Sequence, residues 1–100
     1  MTGELALTAI TDPVVRMPRG VRLHQDRVRG VPVLLGPERV LVLDEIGWAI
    51  LSELGESSRV SDLTDRLATR FGAPRDEVAG DVREFLDDLQ AQRLVDYSDA

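Results

Sequence analysis

The sequence predicts an α+β domain, in which a three-stranded antiparallel sheet is followed by a three-helix bundle. Two halves of different pattern support this fold class. Residues 21–43 contain three short runs rich in β-branched residues, separated by glycine and proline turns. Residues 44–93 repeat their apolar residues with helical spacing. A chain of 100 residues is long enough for one such domain with a modest core.

Tight turns join the three predicted strands into a meander. The strands are predicted over Val21–Val28, Val31–Leu35 and Glu38–Leu43. Arg29-Gly30 supplies the first turn and Gly36-Pro37 the second, which makes neighbouring strands antiparallel. The second strand contains a proline, which cannot donate to a sheet ladder and predicts an edge or a strand start there.

Three helices are predicted from their caps and apolar stripes. Asp44 is a good N-cap for a first helix over residues 45–54. Ser61 caps a second helix over residues 62–71, and a third helix with proline at its first position follows over residues 74–93. The apolar stripe of the third helix consists of Val78, Val82, Phe85, Leu86 and Leu89.

The first 17 residues show no stable apolar period. Pro13 and Pro18 interrupt this stretch, and several of its other residues are small or polar. We therefore predict a flexible tail or linker over residues 1–17.

The composition argues against an enzyme. The chain has no Cys, no Lys and one His, so Cys–His pairs, Schiff bases, thiolate metal sites and a P-loop lysine are excluded. His24 lies on a predicted strand with charged neighbours and is interpreted as an exposed strand residue. We predict no catalytic residue, no metal and no cofactor. Without an apolar run of about 18 residues or a secretory signal, a soluble cytoplasmic protein that does not enter membranes is the expectation.

Helix two, a turn and helix three beside a small sheet resemble a winged helix, a fold that often binds DNA through its third helix. Here the third helix is acidic, and the net charge of the chain is −6. Acidic residues facing phosphates are repulsive, so we expect no nucleic acid partner and keep DNA binding only as an alternative. Four carboxylates form one stripe of this helix, interpreted as a solvated face, although they could hold a cation weakly or meet a basic partner: Glu77, Asp81, Glu84 and Asp88.

An ordered set of short motifs resembles the pyrroloquinoline quinone biosynthesis protein D (PqqD) family. The motifs are Arg22-Leu23 with Asp26, the Leu35-x-Pro37-Glu38 turn, and Leu43-Asp44-Glu45 followed by Ile50-Leu51. The helical half, "VSDLTDRLATRFGAPRDEVAGDVREFLDDLQAQRLV", also fits the family. The resemblance covers residues 18–97, the predicted domain. Some members are fused to an upstream enzyme of the same pathway, so the tail could be such a linker.

The resemblance implies a peptide chaperone that is not an enzyme. Members look like recognition elements for ribosomally made peptides that are later modified. They bind the precursor peptide PqqA and present it to the radical SAM enzyme PqqE, which holds the iron–sulfur clusters and S-adenosylmethionine. A recognition element that serves another ribosomal peptide pathway is the alternative within this class.

The resemblance also suggests a role for the third strand, which is apolar on both faces. In such recognition elements the peptide adds a strand to the edge of strand three and packs against helix three. One face of the strand would then seal the core while the other helps to form a peptide groove; the alternative is that both faces are buried. The expected peptide-binding residues are Arg39, Val40, Leu41, Val42 and Leu43 at the strand edge, Val78, Val82 and Phe85 across the groove, and Arg75 and Arg83 for acidic residues of the peptide.

Overall fold

Two three-stranded antiparallel sheets and three helices make up residues 12–99, the part of the chain that the computed structural model describes. The first sheet has the order β2-β3-β4, with β2 at Arg22–Asp26, β3 at Val31–Leu35 and β4 at Val40–Val42. The second has the order β5-β1-β6, with β1 at Val14–Arg16, β5 at Ser57–Arg59 and β6 at Asp96–Ser98. The helices are α1 at Glu45–Leu54, α2 at Val60–Phe71 and α3 at Arg75–Ala91.

The predicted meander is confirmed as the sheet β2-β3-β4. Leu34 is opposite Leu23 on one side and Leu41 on the other, so these three side chains share the face that packs on the helices. Strand β2 ends two residues earlier than predicted, because the Asp26 carboxylate accepts hydrogen bonds from the amides of Val28 and Arg29 and forms the turn itself.

The proline of strand β3 lies in the central strand rather than at an edge. Pro32 is the second residue of β3, and its carbonyl accepts from the amide of Leu43 at 2.9 Å, just beyond the end of β4. Its missing N–H therefore removes a ladder bond only where β4 has already ended, which explains how a proline is tolerated there.

Helix α1 has the predicted bounds, with the Asp44 carboxylate accepting from the amide of Gly47 at 2.7 Å. Helix α2 begins at Val60, earlier than predicted, and Ser61 is not its cap. The Asp12 carboxylate instead accepts from both the amide and the hydroxyl of Ser61, each at 2.8 Å. A capping acceptor 49 residues away in the chain cannot be read from local sequence.

The second sheet was not predicted, and the predicted boundary of the tail at residue 17 is wrong. Strand β1 is the central strand of β5-β1-β6, and Val15 on it is fully buried in the core. Its neighbours, Ser57–Arg59 and Asp96–Ser98, are three-residue strands of mostly polar residues without apolar alternation. Such short polar strands have almost no recognisable pattern in the sequence. Of the predicted tail, residues 1–11 lie outside the described residues, so only residues 12–17 can be compared with the structure.

One apolar core joins the inner faces of the two sheets to the three helices. Its most deeply buried side chains are Val15, Leu34, Leu51, Leu54, Leu63, Leu67, Val82, Leu86, Leu89 and Val95. The single Trp of the sequence, Trp48, is half-buried and packs against this core. The α+β class and the three-helix bundle beside a small sheet are therefore as predicted.

Candidate functional site

Strand β4 is an edge strand whose outward backbone groups can be identified. Within the described residues it pairs only with β3. The Gly36 amide donates to the Arg39 carbonyl, and the Leu43 amide donates to the Pro32 carbonyl, both at 2.9 Å. Bonded and non-bonded pairs alternate along an antiparallel ladder, so Leu41 also bonds inward. The N–H and C=O groups of the two residues between these positions, Val40 and Val42, therefore point away from the sheet.

The side chains of β4 divide between the core and solvent. Leu41 packs against the core and Leu43 is 5% exposed, whereas Val40 and Val42 are 61% and 59% exposed. The alternative in which both faces of this strand are buried is therefore wrong. A pair of exposed valines on an open edge also needs a reason, because such edges tend to aggregate.

The C-terminal end of helix α3 lies near the start of this edge. Near its C-terminus, Gln92 accepts a hydrogen bond of 2.8 Å from the guanidinium of Arg39, immediately before β4. Earlier in α3, the ring of Phe85 lies against Gly47 of α1. A Cβ atom added to Gly47 would be 3.1 Å from two carbons of this ring. The space between the β4 edge and α3 is called the β4–α3 groove below.

On the α3 side of this groove, carboxylates surround an aromatic ring. Asp81, Glu84 and Asp88 are exposed and surround Phe85 in a shallow depression of about 370 Å³. These residues belong to the acidic stripe predicted as a solvated helix face, and the structure does leave them in solvent. Asp88 also accepts a hydrogen bond of 3.1 Å from the side chain of Gln92.

An apolar cavity of about 220 Å³ continues the groove beyond Asp81. Two of its residues, Ile46 in α1 and Phe71 at the end of α2, are 60% and 54% exposed. Sequence reasoning missed them as site residues, because a stripe does not show which member lies past the end of the core. The cavity is lined by Ile46, Ile50, Leu67, Phe71, Ala73, Val78, Asp81 and Val82.

The predicted residues of α3 separate into three environments. Val78 is half-buried and lines the apolar cavity, and Phe85 is half-buried in the shallow depression. Val82 is 1% exposed and serves the core, with only a minor share in the cavity wall. Arg75 and Arg83 line a different cleft on the other flank of α3 and are not brought to the groove.

Both arginines already have carboxylate partners on that flank. Arg75 forms an ion pair with Asp65, and Arg83 donates to Asp87 at 3.3 Å. The Tyr97 hydroxyl of β6 also donates to Asp87, at 2.7 Å. Burial first, and then this hydrogen bond, raise the pKa of Tyr97 well above its usual range. These contacts join the second sheet to α3 and leave the groove free of them.

Two further observations concern only the described residues. Within residues 12–99, no three His, Cys, Asp or Glu side chains are grouped so that they could hold a metal ion. Over the same residues, none of the helices has the length and apolar character needed to cross a bilayer.

The geometry defines a small α+β domain with an open strand edge beside a helix. The model of a family described as Coenzyme PQQ synthesis protein D (PqqD) matches residues 33–95. The chain belongs to this family.

Curated relatives and solved structures agree with this assignment. A PqqA binding protein of Rhizobium meliloti is 42% identical over 83 residues, which are 83% of this chain and 85% of the relative. One of Bradyrhizobium diazoefficiens is 41% identical over 86% of this chain and 82% of its own length. The solution structure of the PqqD part of Methylobacterium extorquens PqqCD, described as a stand-alone recognition element for ribosomally synthesised, modified peptides, has a TM-score of 0.71 at 35% identity and covers 83% of this chain and 88% of that one. The crystal structure of PqqD from Xanthomonas campestris has a TM-score of 0.53 at 36% identity, covering 78% and 87%.

Proposed function

We propose that this protein binds the precursor peptide PqqA as an added strand on the edge of β4 and presents it to the radical SAM enzyme PqqE in pyrroloquinoline quinone biosynthesis. The names of the relatives support the choice of peptide. The observation that carries the proposal is the pair of outward-facing backbones at Val40 and Val42, beside a groove that can hold the added chain.

The groove has the size of a short peptide strand. Residues 78–92, which run from within α3 to the first residue after it, span about 21 Å at the helical rise per residue. An extended peptide covers that length with about six residues. Two outward residues on β4 offer up to four backbone hydrogen bonds, each contributing roughly 0.5–1.5 kcal/mol. Such bonds are independent of sequence, so selectivity comes from side chains that meet Phe85 and the apolar cavity.

The proposed role requires no chemistry from the protein itself. The sequence contains neither Cys nor Lys, and its single His lies exposed on β2, away from the groove. We therefore expect PqqA to keep its mass when it is incubated with this protein alone. Mass spectrometry of the peptide tests this; modification of more peptide than protein present would contradict the chaperone role.

Titration of isotope-labelled protein with PqqA tests the binding site. We expect the amide signals of Val40 and Val42 and of the α3 residues around Phe85 to shift, because new bonds and ring contacts form there. Signals of Val14–Arg16 in the second sheet are the internal control and should stay in place. Shifts confined to the second sheet, or no shifts with excess peptide, would contradict the proposal.

A further inference from the structure

The face of the sheet β2-β3-β4 that is turned away from the helices is apolar at its centre. Two cross-strand rows lie on it, Arg22–Leu35–Val40 and His24–Val33–Val42. Val33, at the centre of the second row, is 4% exposed although it is not part of the helix-packed core. We call this surface the outer face.

A peptide on the edge of β4 leaves the outer face uncovered. Side chains stand roughly perpendicular to a sheet, whereas an added strand lies in its plane. Val40 and Val42 would therefore keep most of their exposure after the peptide has paired with them. Apolar patches rimmed by polar residues mark protein interaction sites, so this face needs a second occupant.

The charge around the outer face indicates the chemistry of that occupant. Residues 16–39 contain two carboxylates, Asp26 and Glu38, and six arginines: Arg16, Arg19, Arg22, Arg27, Arg29 and Arg39. Residues 40–99 contain fourteen carboxylates and six arginines. A chain with a net charge of −6 thus has one basic stretch of sequence. Within it Arg22 lies on the outer face and Arg27 and Arg29 lie in the β2–β3 turn, whereas Arg16 belongs to β1 of the second sheet.

We propose that the outer face docks an acidic surface of the enzyme to which the peptide is delivered, with Arg22 and Arg27 in the rim and Val40 and Val42 in the centre. This rests on the proposed function above. Arginine around an apolar centre is typical of protein interfaces. A symmetric contact with a second copy would bring the two arginine rims together, which is repulsive. Nucleic acid would use the arginines but not the valines.

The proposal couples docking to the presence of the peptide. Every second side chain of a strand added to β4 points to the outer face, beside Val40 and Val42. The enzyme would then contact a composite surface of protein and peptide. Binding of the enzyme should therefore be tighter to the peptide-loaded protein than to the free protein, and by linkage the enzyme should tighten peptide binding by the same factor.

The test compares Arg22→Glu/Arg27→Glu with wild type and with Arg93→Glu, a charge reversal at an exposed arginine after α3. Affinity for PqqE is measured by calorimetry with and without PqqA, and affinity for PqqA is measured separately. We expect the double variant to bind PqqE at least tenfold more weakly, to bind PqqA within twofold of wild type and to melt like wild type. Arg93→Glu should bind PqqE as wild type does. Because the contact is charged, wild-type binding should weaken between low and high salt.

Other outcomes would overturn this assignment. A double variant that binds PqqE like wild type would overturn the outer-face inference while leaving PqqA binding intact. Wild type that binds PqqA but never PqqE would overturn both the docking face and the delivery role. A concentration-dependent dimer, or retention of duplex DNA, that disappears in the double variant would assign the face to a second copy or to nucleic acid instead.

Discussion

At the residue scale, the alternation of backbone bonds along β4 distinguishes two neighbouring positions. Proline at Val40 removes an N–H that points to the open edge, while proline at Leu41 removes one that bonds β3. We expect Val40→Pro to stay folded and to bind PqqA at least several-fold more weakly. Leu41→Pro should be destabilised by at least about 1–3 kcal/mol. Circular dichroism melts and calorimetric titration measure both.

Val40→Thr is the control for this pair, because it keeps the N–H and changes only an exposed side chain. It should bind PqqA like wild type. If folded Val40→Pro also binds like wild type, the β4 edge is not where the peptide pairs.

Gly47 is a second position where a small substitution, the addition of one Cβ atom, is expected to affect peptide binding. A Cβ there would be 3.1 Å from the ring of Phe85, which borders the groove and can move toward solvent. Gly47→Ala gains up to about 1 kcal/mol of helix propensity and loses a comparable amount by displacing the ring. We therefore expect little net change in the free energy of unfolding, but several-fold weaker PqqA binding.

Gly80→Ala is matched to it, since a Cβ at Gly80 meets nothing within 4 Å. That variant should gain stability and keep its peptide affinity. Unchanged PqqA binding by Gly47→Ala would show that the position of the Phe85 ring does not matter to the groove.

At the element scale, strand β1 shows how a short strand can support a fold. It is the central strand of β5-β1-β6, it buries Val15, and the Asp12 carboxylate just before it bonds to Ser61 in α2. Removal of residues 1–17 should therefore cost several kcal/mol and give a melting temperature lower by roughly 10 °C or more. Removal of residues 1–11 takes away none of these contacts and should leave the melting temperature near that of wild type. Equal melting of the two truncations would show that β1 contributes no stability.

The contact between β6 and α3 predicts a pH dependence. Because the pKa of Tyr97 is raised in the folded protein, only the unfolded chain releases this proton near pH 10. The contribution of Tyr97 to the free energy of unfolding is therefore complete below about pH 10 and decreases as the pH rises above that value. Tyr97→Phe removes the hydroxyl that donates a hydrogen bond to Asp87, so we expect a lower free energy of unfolding at pH 7. Above about pH 9, give or take one pH unit, the free energy of unfolding of this variant should depend less on pH than that of wild type. Urea unfolding followed by Trp48 fluorescence from pH 7 to pH 11 measures both variants; parallel profiles would contradict this assignment.

At the scale of the whole molecule, local pattern predicted the elements that are long enough to have a period. The meander, the bounds of α1 and the stripe of α3 followed from alternation, helical spacing and the Asp44 cap. The second sheet could not be predicted, because its strands of three residues are brought together from the two ends and the middle of the chain.

The candidate site was predicted only in part for a related reason. Spacing alone indicated an apolar strand and an apolar helix stripe, but it could not assign each side chain to the core or to the groove. Val82 and Leu43 proved to be core residues, whereas Ile46 and Phe71 proved to be exposed beside the cavity. That distinction depends on how the helices pack against each other, which a single sequence does not contain.

The pairing of Val14 with Ser98 has a mechanical consequence. Strand β1 begins where β6 ends, so a force that pulls the two ends of the described chain apart acts on the same end of this antiparallel pair. The pair would open like a zipper, one residue pair after another, instead of sliding along its length. Little force is needed for such opening, and it would begin in the second sheet, while β4 and its neighbours in the first sheet carry none of the initial load.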